Sequence, residues 1–145
     1  MSYTYAIDLL GDWDQRLPVD PAEYARRCGL TVRPEPELQD LKMKVFTDVP
    51  AGEILCNPYT EEREMRFAVA TELGRYMSRV MLDDALKRRA EGFFYDLSPE
   101  HFAAELLMPE SAVRMNLSKD CCELCRLFGV RAKALEIRLR MLRLI

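Results

Sequence analysis

The chain has 145 residues, of which 49% are hydrophobic and 31% charged, and its formal net charge is −3. This composition predicts one core in a single domain over residues 1–145, and it excludes a disordered protein and a general polyanion binder. The N-terminal segment has no basic leader, and no apolar run approaches the length that spans a bilayer. We therefore expect a cytoplasmic protein without membrane contact.

The first thirty residues predict two helices. Residues 1–17 have the pattern of a loose helix. Asp20, Pro21 and Gly29 then supply an N-cap, a first-turn proline and a terminating glycine for a clearer second helix.

A β-prone region follows between residues 30 and 57. Polarity alternates over residues 41–48, a turn comes next, and residues 53–57 form another short apolar run. The pattern predicts a hairpin within a small, mostly antiparallel sheet.

A long helix is predicted after the sheet. Thr60 is its expected N-cap, and Glu61 and Glu62 suit its positive N-terminus. Its apolar stripe recurs at helical spacing and consists of Val69, Leu73, Met77 and Val80. Residues 82–92 are highly charged and are expected to be a connector.

The last third predicts helices only. Ser98 and Pro99 open a helix that Pro109 closes, and two further helices lie on either side of Gly129. The order of helix, sheet and then helices indicates an α+β fold.

The cysteines indicate no disulfide framework or zinc site. Their number is odd, their spacing is scattered, and the one C-x-x-C has no second ligand pair. We interpret them as small apolar residues, which are Cys28, Cys56, Cys121, Cys122 and Cys125.

Residues 65–80 have the residue spacing of a metallopeptidase helix. A zincin helix carries H-E-x-x-H, in which two histidines one turn apart bind a zinc ion and the glutamate polarises the attacking water. Residues 71–75 read T-E-L-G-R, so the glutamate is in place and both histidines are replaced.

Four segments, in the same order, resemble the ImmA/IrrE family of zinc metallopeptidase-like proteins. "RFAVATELGRYM" is similar to the active-site helix, "FAAELLMPESAV" to a second signature, "LFGVRAKALEIRLRMLRLI" to the C-terminus and "LPVDPAEYARRCGLTVR" to the N-terminal helix and first strand. The resemblance implies a compact zincin-like domain with the sheet beside the active-site helix. It also implies zinc-ligand positions at Thr71, Arg75 and Glu105, a general base at Glu72, and a helix-turn-helix repressor of phage or mobile-element type as partner.

The chain departs from this pattern at two of the three ligand positions. Threonine is a poor zinc ligand, and arginine is a permanent cation with no lone pair to donate. We therefore expect no bound zinc. Because Glu105 stands among apolar neighbours, we expect Arg75 to replace the zinc as the cation between Glu105 and Glu72. The only histidine, His101, lies four residues before Glu105 and leaves a relocated metal site as an alternative.

The function expected from these features is a catalytically inactive, regulatory protein-binding module, with residues 53–57 as the edge strand for a bound peptide. One alternative is an active metallopeptidase with an altered metal site. A second is a DNA-binding regulator that uses the C-terminal helix pair. Nucleic acid is the less favoured partner, because the helix pair carries an apolar stripe that must be buried and the rest of the chain is acidic.

Overall fold

The computed structural model describes residues 3–145, which form eight α-helices and a three-stranded sheet. The helices are α1 (Ala6–Leu9), α2 (Pro21–Arg27), α3 (Glu62–Val80), α4 (Leu82–Ala90), α5 (Pro99–Leu107), α6 (Glu110–Met115), α7 (Cys121–Phe128) and α8 (Ala132–Met141). The strands are β1 (Thr31–Pro34), β2 (Val45–Asp48) and β3 (Glu53–Cys56). The predicted α+β class, with helices after the sheet, is confirmed.

The sheet is mixed, with strand order β1-β3-β2. The predicted hairpin is present, because β2 and β3 pair antiparallel, with Val45 opposite Cys56. The chain reverses direction at β2 and again at β3, so β3 pairs in parallel with β1. The segment expected at the edge of the sheet, residues 53–57, therefore forms its central strand, and β2 is an edge strand.

The long helix α3 packs closely against α5. Gly74 allows this approach, because a Cβ atom at that position would lie 2.8 Å from Cβ of Phe102. The α5 helix is apolar nearly all round, and its residues 102–107 are all buried. Such a helix belongs inside a protein, and it forms the centre of a core that extends from Tyr5 to Leu142.

Most predicted helix boundaries agree with the structure. The Asp20 side chain accepts a hydrogen bond from the Ala22 amide at 3.0 Å, and the Ser98 side chain caps α5. Gly129 ends α7 with φ of +64°, a left-handed conformation that glycine adopts without strain. At α3, the N-cap is Glu61 rather than Thr60, and its carboxylate accepts from the Glu64 amide at 3.0 Å.

Two segments differ from their predictions. A loose helix was expected over residues 1–17. The structure instead has α1, with four residues, followed by a 3-10 turn, and residues 1–2 lie outside the described part. The charged connector is the helix α4. Its acidic first turn and basic last turn complement the helix dipole, and Asp84 pairs with Arg88 one turn later at 3.5 Å.

All five cysteines are free thiols in this structure. Cys125 is buried in the core beside α8, whereas Cys121 and Cys122 are exposed at the start of α7. Within residues 3–145, no helix combines the length and apolar character needed to cross a membrane.

Candidate functional site

An open groove lies between α3 and the edge strand β2. Its volume is about 490 Å³. The α3 side of its lining includes Thr71 and Glu72, two of the residues singled out from sequence. The rest of the lining consists of Lys42, Met43, Lys44, Val45, Phe67, Ala68 and Glu100. Glu100, which sequence reasoning did not select, thus joins Thr71 and Glu72 at one surface.

Glu72 is held by two neighbours in this groove. Its Oε2 accepts a hydrogen bond of 2.6 Å from the Thr47 hydroxyl on β2, and its Oε1 lies 3.5 Å from a guanidinium nitrogen of Arg75. The side chains of Glu72 and Arg75 are 18% and 43% exposed. Arg75 therefore lies one helical turn from Glu72, at the protein surface rather than in the core.

The Thr71 hydroxyl is directed back to its own helix. It donates a hydrogen bond of 2.8 Å to the Phe67 carbonyl, one turn earlier in α3. This local bond satisfies the hydroxyl proton, as is usual for threonine within a helix.

Glu105 belongs to a different and fully buried cluster. Its Oε1 accepts hydrogen bonds from the Thr4 amide at 2.9 Å and the Thr4 hydroxyl at 2.8 Å. Its Oε2 lies 3.7 Å from a guanidinium nitrogen of Arg138, whose Nε donates to the Met108 carbonyl at 2.8 Å. Glu105 and Arg138 are 3% and 1% exposed. The buried carboxylate expected from sequence is present, but its cation is Arg138 on α8 and not Arg75.

Burial has opposite effects on the two charged groups of this cluster. It raises the pKa of the Glu105 carboxyl, and the hydrogen bonds from Thr4 and the charge of Arg138 only partly offset it. It lowers the pKa of the Arg138 guanidinium, while the carboxylate acts in the other direction. In residues 3–145, no buried side-chain nitrogen or oxygen lacks a hydrogen-bond partner. Among the described residues, Thr4 and Arg138 are thus the groups that hold the Glu105 carboxylate.

His101 lies in the first turn of α5 and takes part in the contacts at the start of that helix. Its Nδ1 lies 2.5 Å from Oδ2 of Asp96, and its amide donates to the Ser98 hydroxyl. Its ring therefore pairs with Asp96, and its backbone completes the helix cap. Across the described residues, no three His, Cys, Asp or Glu side chains are grouped as a metal ion would need.

The zinc ion that the resemblance implies can be tested against these contacts. Of the three expected positions, Thr71 offers a neutral hydroxyl bonded within α3, and Arg75 offers a cation. The third, Glu105, is occupied by Thr4 and Arg138. A tetrahedral zinc site needs several nitrogen, sulfur or carboxylate donors with free lone pairs. The residues at these positions do not fit a zinc ion.

The basic residues of the C-terminal helices differ in how much of their charge is buried or paired within the protein. Arg138 is buried, while Arg131 pairs with Glu64 of α3. Lys133 and Arg140 both lie near the carboxylate of Glu136, at 3.9 Å and 3.0 Å. The α8 face that carries Leu135 packs into the core. Arg138 and Leu135 are therefore unavailable to a DNA groove, whereas Arg126, Lys133, Arg140 and Arg143 are exposed.

Comparison with known proteins extends these observations. A solved Mycobacterium tuberculosis transcriptional regulator matches with a TM-score of 0.69 and 21% sequence identity, over 92% of this chain and 44% of that chain. The chain thus spans less than half the length of that regulator, and the match shows a shared fold. Among curated proteins, none matches significantly. The family model described as the IrrE N-terminal-like domain, Peptidase_M78, matches residues 25–140. Because this match covers most of the chain, the protein belongs to the IrrE N-terminal-like family.

Proposed function

We propose that this protein is a catalytically inactive member of its family that acts in transcriptional regulation by binding another protein. The proposed partner is a helix-turn-helix repressor of phage or mobile-element type. The observation that carries the proposal is the donor set at T-E-L-G-R, where Thr71 bonds its own helix and Arg75 pairs with Glu72.

The absence of suitable zinc donors removes the chemistry that peptide hydrolysis would use. A bound zinc ion supplies a hydroxide nucleophile at neutral pH by lowering the pKa of its water, and it polarises the scissile carbonyl. Thr47 and Arg75 hold the Glu72 carboxylate in place. We assign Glu72 to the architecture of the groove rather than to general-base catalysis.

The groove is suited to an extended segment of a partner. An edge strand carries unpaired backbone groups along its outer side, and a peptide can add to it as a further strand. Because β2 is at the sheet edge and lines the groove, we assign to β2 the docking role expected of residues 53–57. The name of the structural neighbour, a transcriptional regulator, supports a partner in gene control.

One experiment tests inactivity and partner together. The purified chain is mixed, in buffer with added zinc, with a helix-turn-helix repressor encoded beside its gene. Size-exclusion chromatography, intact mass and metal content are then measured. We expect a complex that contains uncleaved repressor and less than stoichiometric zinc. Cleavage that a chelator abolishes would contradict inactivity, and the lack of a complex would contradict the proposed partner.

A variant designed to bind zinc tests whether the residues at positions 71 and 75 alone account for the expected loss of zinc binding. In Thr71→His with Arg75→His, two imidazoles stand one turn apart on α3, the first in the groove that Glu72 and Glu100 also line and the second next to Glu72. We expect stoichiometric zinc by metal analysis of the double variant and much weaker retention by each single variant. A double variant that remains zinc-free would show that more of the site than these two residues has changed.

A further inference from the structure

A second hollow lies next to the groove, between α3 and the start of α8. Its floor is apolar and consists of Phe67 and Ala68 from α3 with Ala134 and Ile137 from α8. Its volume is about 190 Å³. Small-molecule sites usually have at least about 300 Å³, so the hollow is better matched to a single large side chain.

The rim of this hollow is basic, although the whole chain carries a net charge of −3. Four cations line it, Lys44, Arg63, Arg131 and Lys133, with a single carboxylate from Glu64. Glu64 pairs with both Lys44, at 3.5 Å, and Arg131. Lys133 is the freest of the four, with a side chain 81% exposed and 3.9 Å from Glu136. Arg63 pairs with Glu61 at 3.2 Å, so the four cations face three carboxylates in all, and one net positive charge remains beside the apolar floor.

The hollow and the groove form one continuous surface. Lys44, Phe67 and Ala68 line both of them. A segment that lies along β2 can therefore continue past Lys44 to Phe67 and Ala68, where the groove meets the hollow. Its side chain at that point meets apolar carbon below and ammonium or guanidinium groups around it.

We infer that this hollow selects the partner segment: an extended peptide in which one large apolar residue is flanked by aspartate or glutamate. The apolar side chain fills the hollow and the flanking carboxylates meet its basic rim, so the charges of the two surfaces are complementary. This inference rests on the proposed function, because it assigns the hollow to the same bound segment.

The probe is a fluorescent peptide of roughly ten residues, enough to cover groove and hollow, with a central leucine between acidic residues. Binding to the full chain is measured by anisotropy at low and moderate salt. One comparison peptide has lysine in place of the acidic residues, and another has alanine in place of the leucine. We expect the lysine peptide not to bind, and the alanine peptide to bind about tenfold more weakly because it loses a buried leucine side chain.

Two variants of the protein test the two halves of the recognition. Lys133→Glu reverses a rim charge, and we expect roughly fivefold weaker binding, with a smaller difference at higher salt. Lys87→Glu on α4, which is exposed and lines neither surface, is the matched control. Ala68→Leu places a larger side chain in the floor and should weaken binding about tenfold. Its control is Ala90→Leu at the exposed end of α4.

The outcomes separate this inference from the proposed function. If a repressor complex forms but is insensitive to both Lys133→Glu and Ala68→Leu, the hollow does not select the partner, while the proposed function stands. If the acidic peptide binds as described and no repressor complex forms, the inferred site stands and the repressor is the wrong partner. Equal binding of the acidic and lysine peptides would overturn the inference. Binding of a single-stranded oligonucleotide would also overturn it, if the oligonucleotide competes with the peptide and no longer binds the Lys133→Glu variant.

Discussion

The Glu105–Arg138 pair and the Glu72–Arg75 pair contain the same chemical groups in different surroundings. The first has side chains 4% and 2% exposed, and the second 18% and 43%. In the core, each charge requires the other, because a lone buried ion is costly. At the groove, water screens both charges, and the pair contributes little to folding. Folding should therefore be sensitive to the loss of one partner in the first pair and nearly insensitive to it in the second.

Each pair also has a threonine that donates to the carboxylate. Thr4 gives two hydrogen bonds to Glu105, and through them the N-terminal segment is attached to α5. Thr47 gives one to Glu72 and connects the edge strand to α3. Each cluster thus consists of a glutamate, an arginine and a threonine, and the same substitution can be made in both clusters.

The largest effect is expected for the buried arginine. Arg138→Met leaves Glu105 without its cation and removes the donor to the Met108 carbonyl. We expect a loss of about 3–5 kcal/mol in the free energy of unfolding, measured with urea. Adding Glu105→Gln should recover part of that loss, because no unpaired charge then remains in the core. Strict additivity of the two changes would show that Glu105 and Arg138 do not depend on each other.

A smaller loss is expected at Thr4. Thr4→Val keeps the shape of the side chain and the hydrogen bond from the Thr4 backbone amide to Glu105. It removes the hydroxyl, which donates to Glu105 at 2.8 Å and accepts from the Ala6 amide at 3.1 Å. Hydrogen bonds to charged groups contribute about 1.5–3 kcal/mol, so urea unfolding should show a decrease in that range. Thr47→Val is the matched control at the Glu72–Arg75 pair, and it should lower the free energy of unfolding by a smaller amount. Equal costs at both positions would contradict the contrast between the clusters.

The sequence predicted most of the helices and the hairpin because their signals are local. The Asp20 cap with Pro21, the alternation over residues 41–48 and the terminating Gly129 each lie within a few residues of the element they define. The helix α4 was missed because only Ala85 in it is buried, so its apolar pattern is weak. Its acidic start and basic end were a usable signal.

The site was less predictable because its contacts connect distant parts of the chain. Thr4 and Glu105 are 101 residues apart, and nothing near either residue indicates that they meet. Arg138 had a detectable signal. It lies three residues after Leu135 and four before Leu142, on the stripe that was expected to be buried. The sequence interpretation chose Arg75 as the partner of Glu105 because the resemblance places both residues at zinc-ligand positions.

The buried carboxylate should also respond to pH in an unusual direction. Burial raises the pKa of Glu105 above its ordinary value of 4.5. The folded state then holds the proton more tightly than the unfolded state. The contribution of this group to stability is complete below the unfolded-state pKa and is lost as pH rises through the folded-state pKa. We expect the free energy of unfolding of Glu105→Gln to improve relative to the unmodified protein as pH rises from the unfolded-state pKa through the folded-state pKa of Glu105. A difference that is constant with pH would contradict the raised pKa.

The smallest effect is expected for Arg75, the residue that the sequence placed at the centre of the network. Arg75→Met removes a partner 3.5 Å from Glu72, but Glu72 keeps its hydrogen bond from Thr47 and its access to water. Partly exposed pairs contribute about 0–1 kcal/mol, so urea unfolding should change by no more than that. Arg75→Met combined with Glu72→Gln should be additive within about 0.5 kcal/mol, in contrast to the Arg138 and Glu105 pair. Binding of a segment along β2 can still change in Arg75→Met, because the guanidinium adjoins the groove carboxylate. A loss of several kcal/mol would mean that Arg75 supports the core after all, and the division between a stabilising pair and an open pair would have to be abandoned.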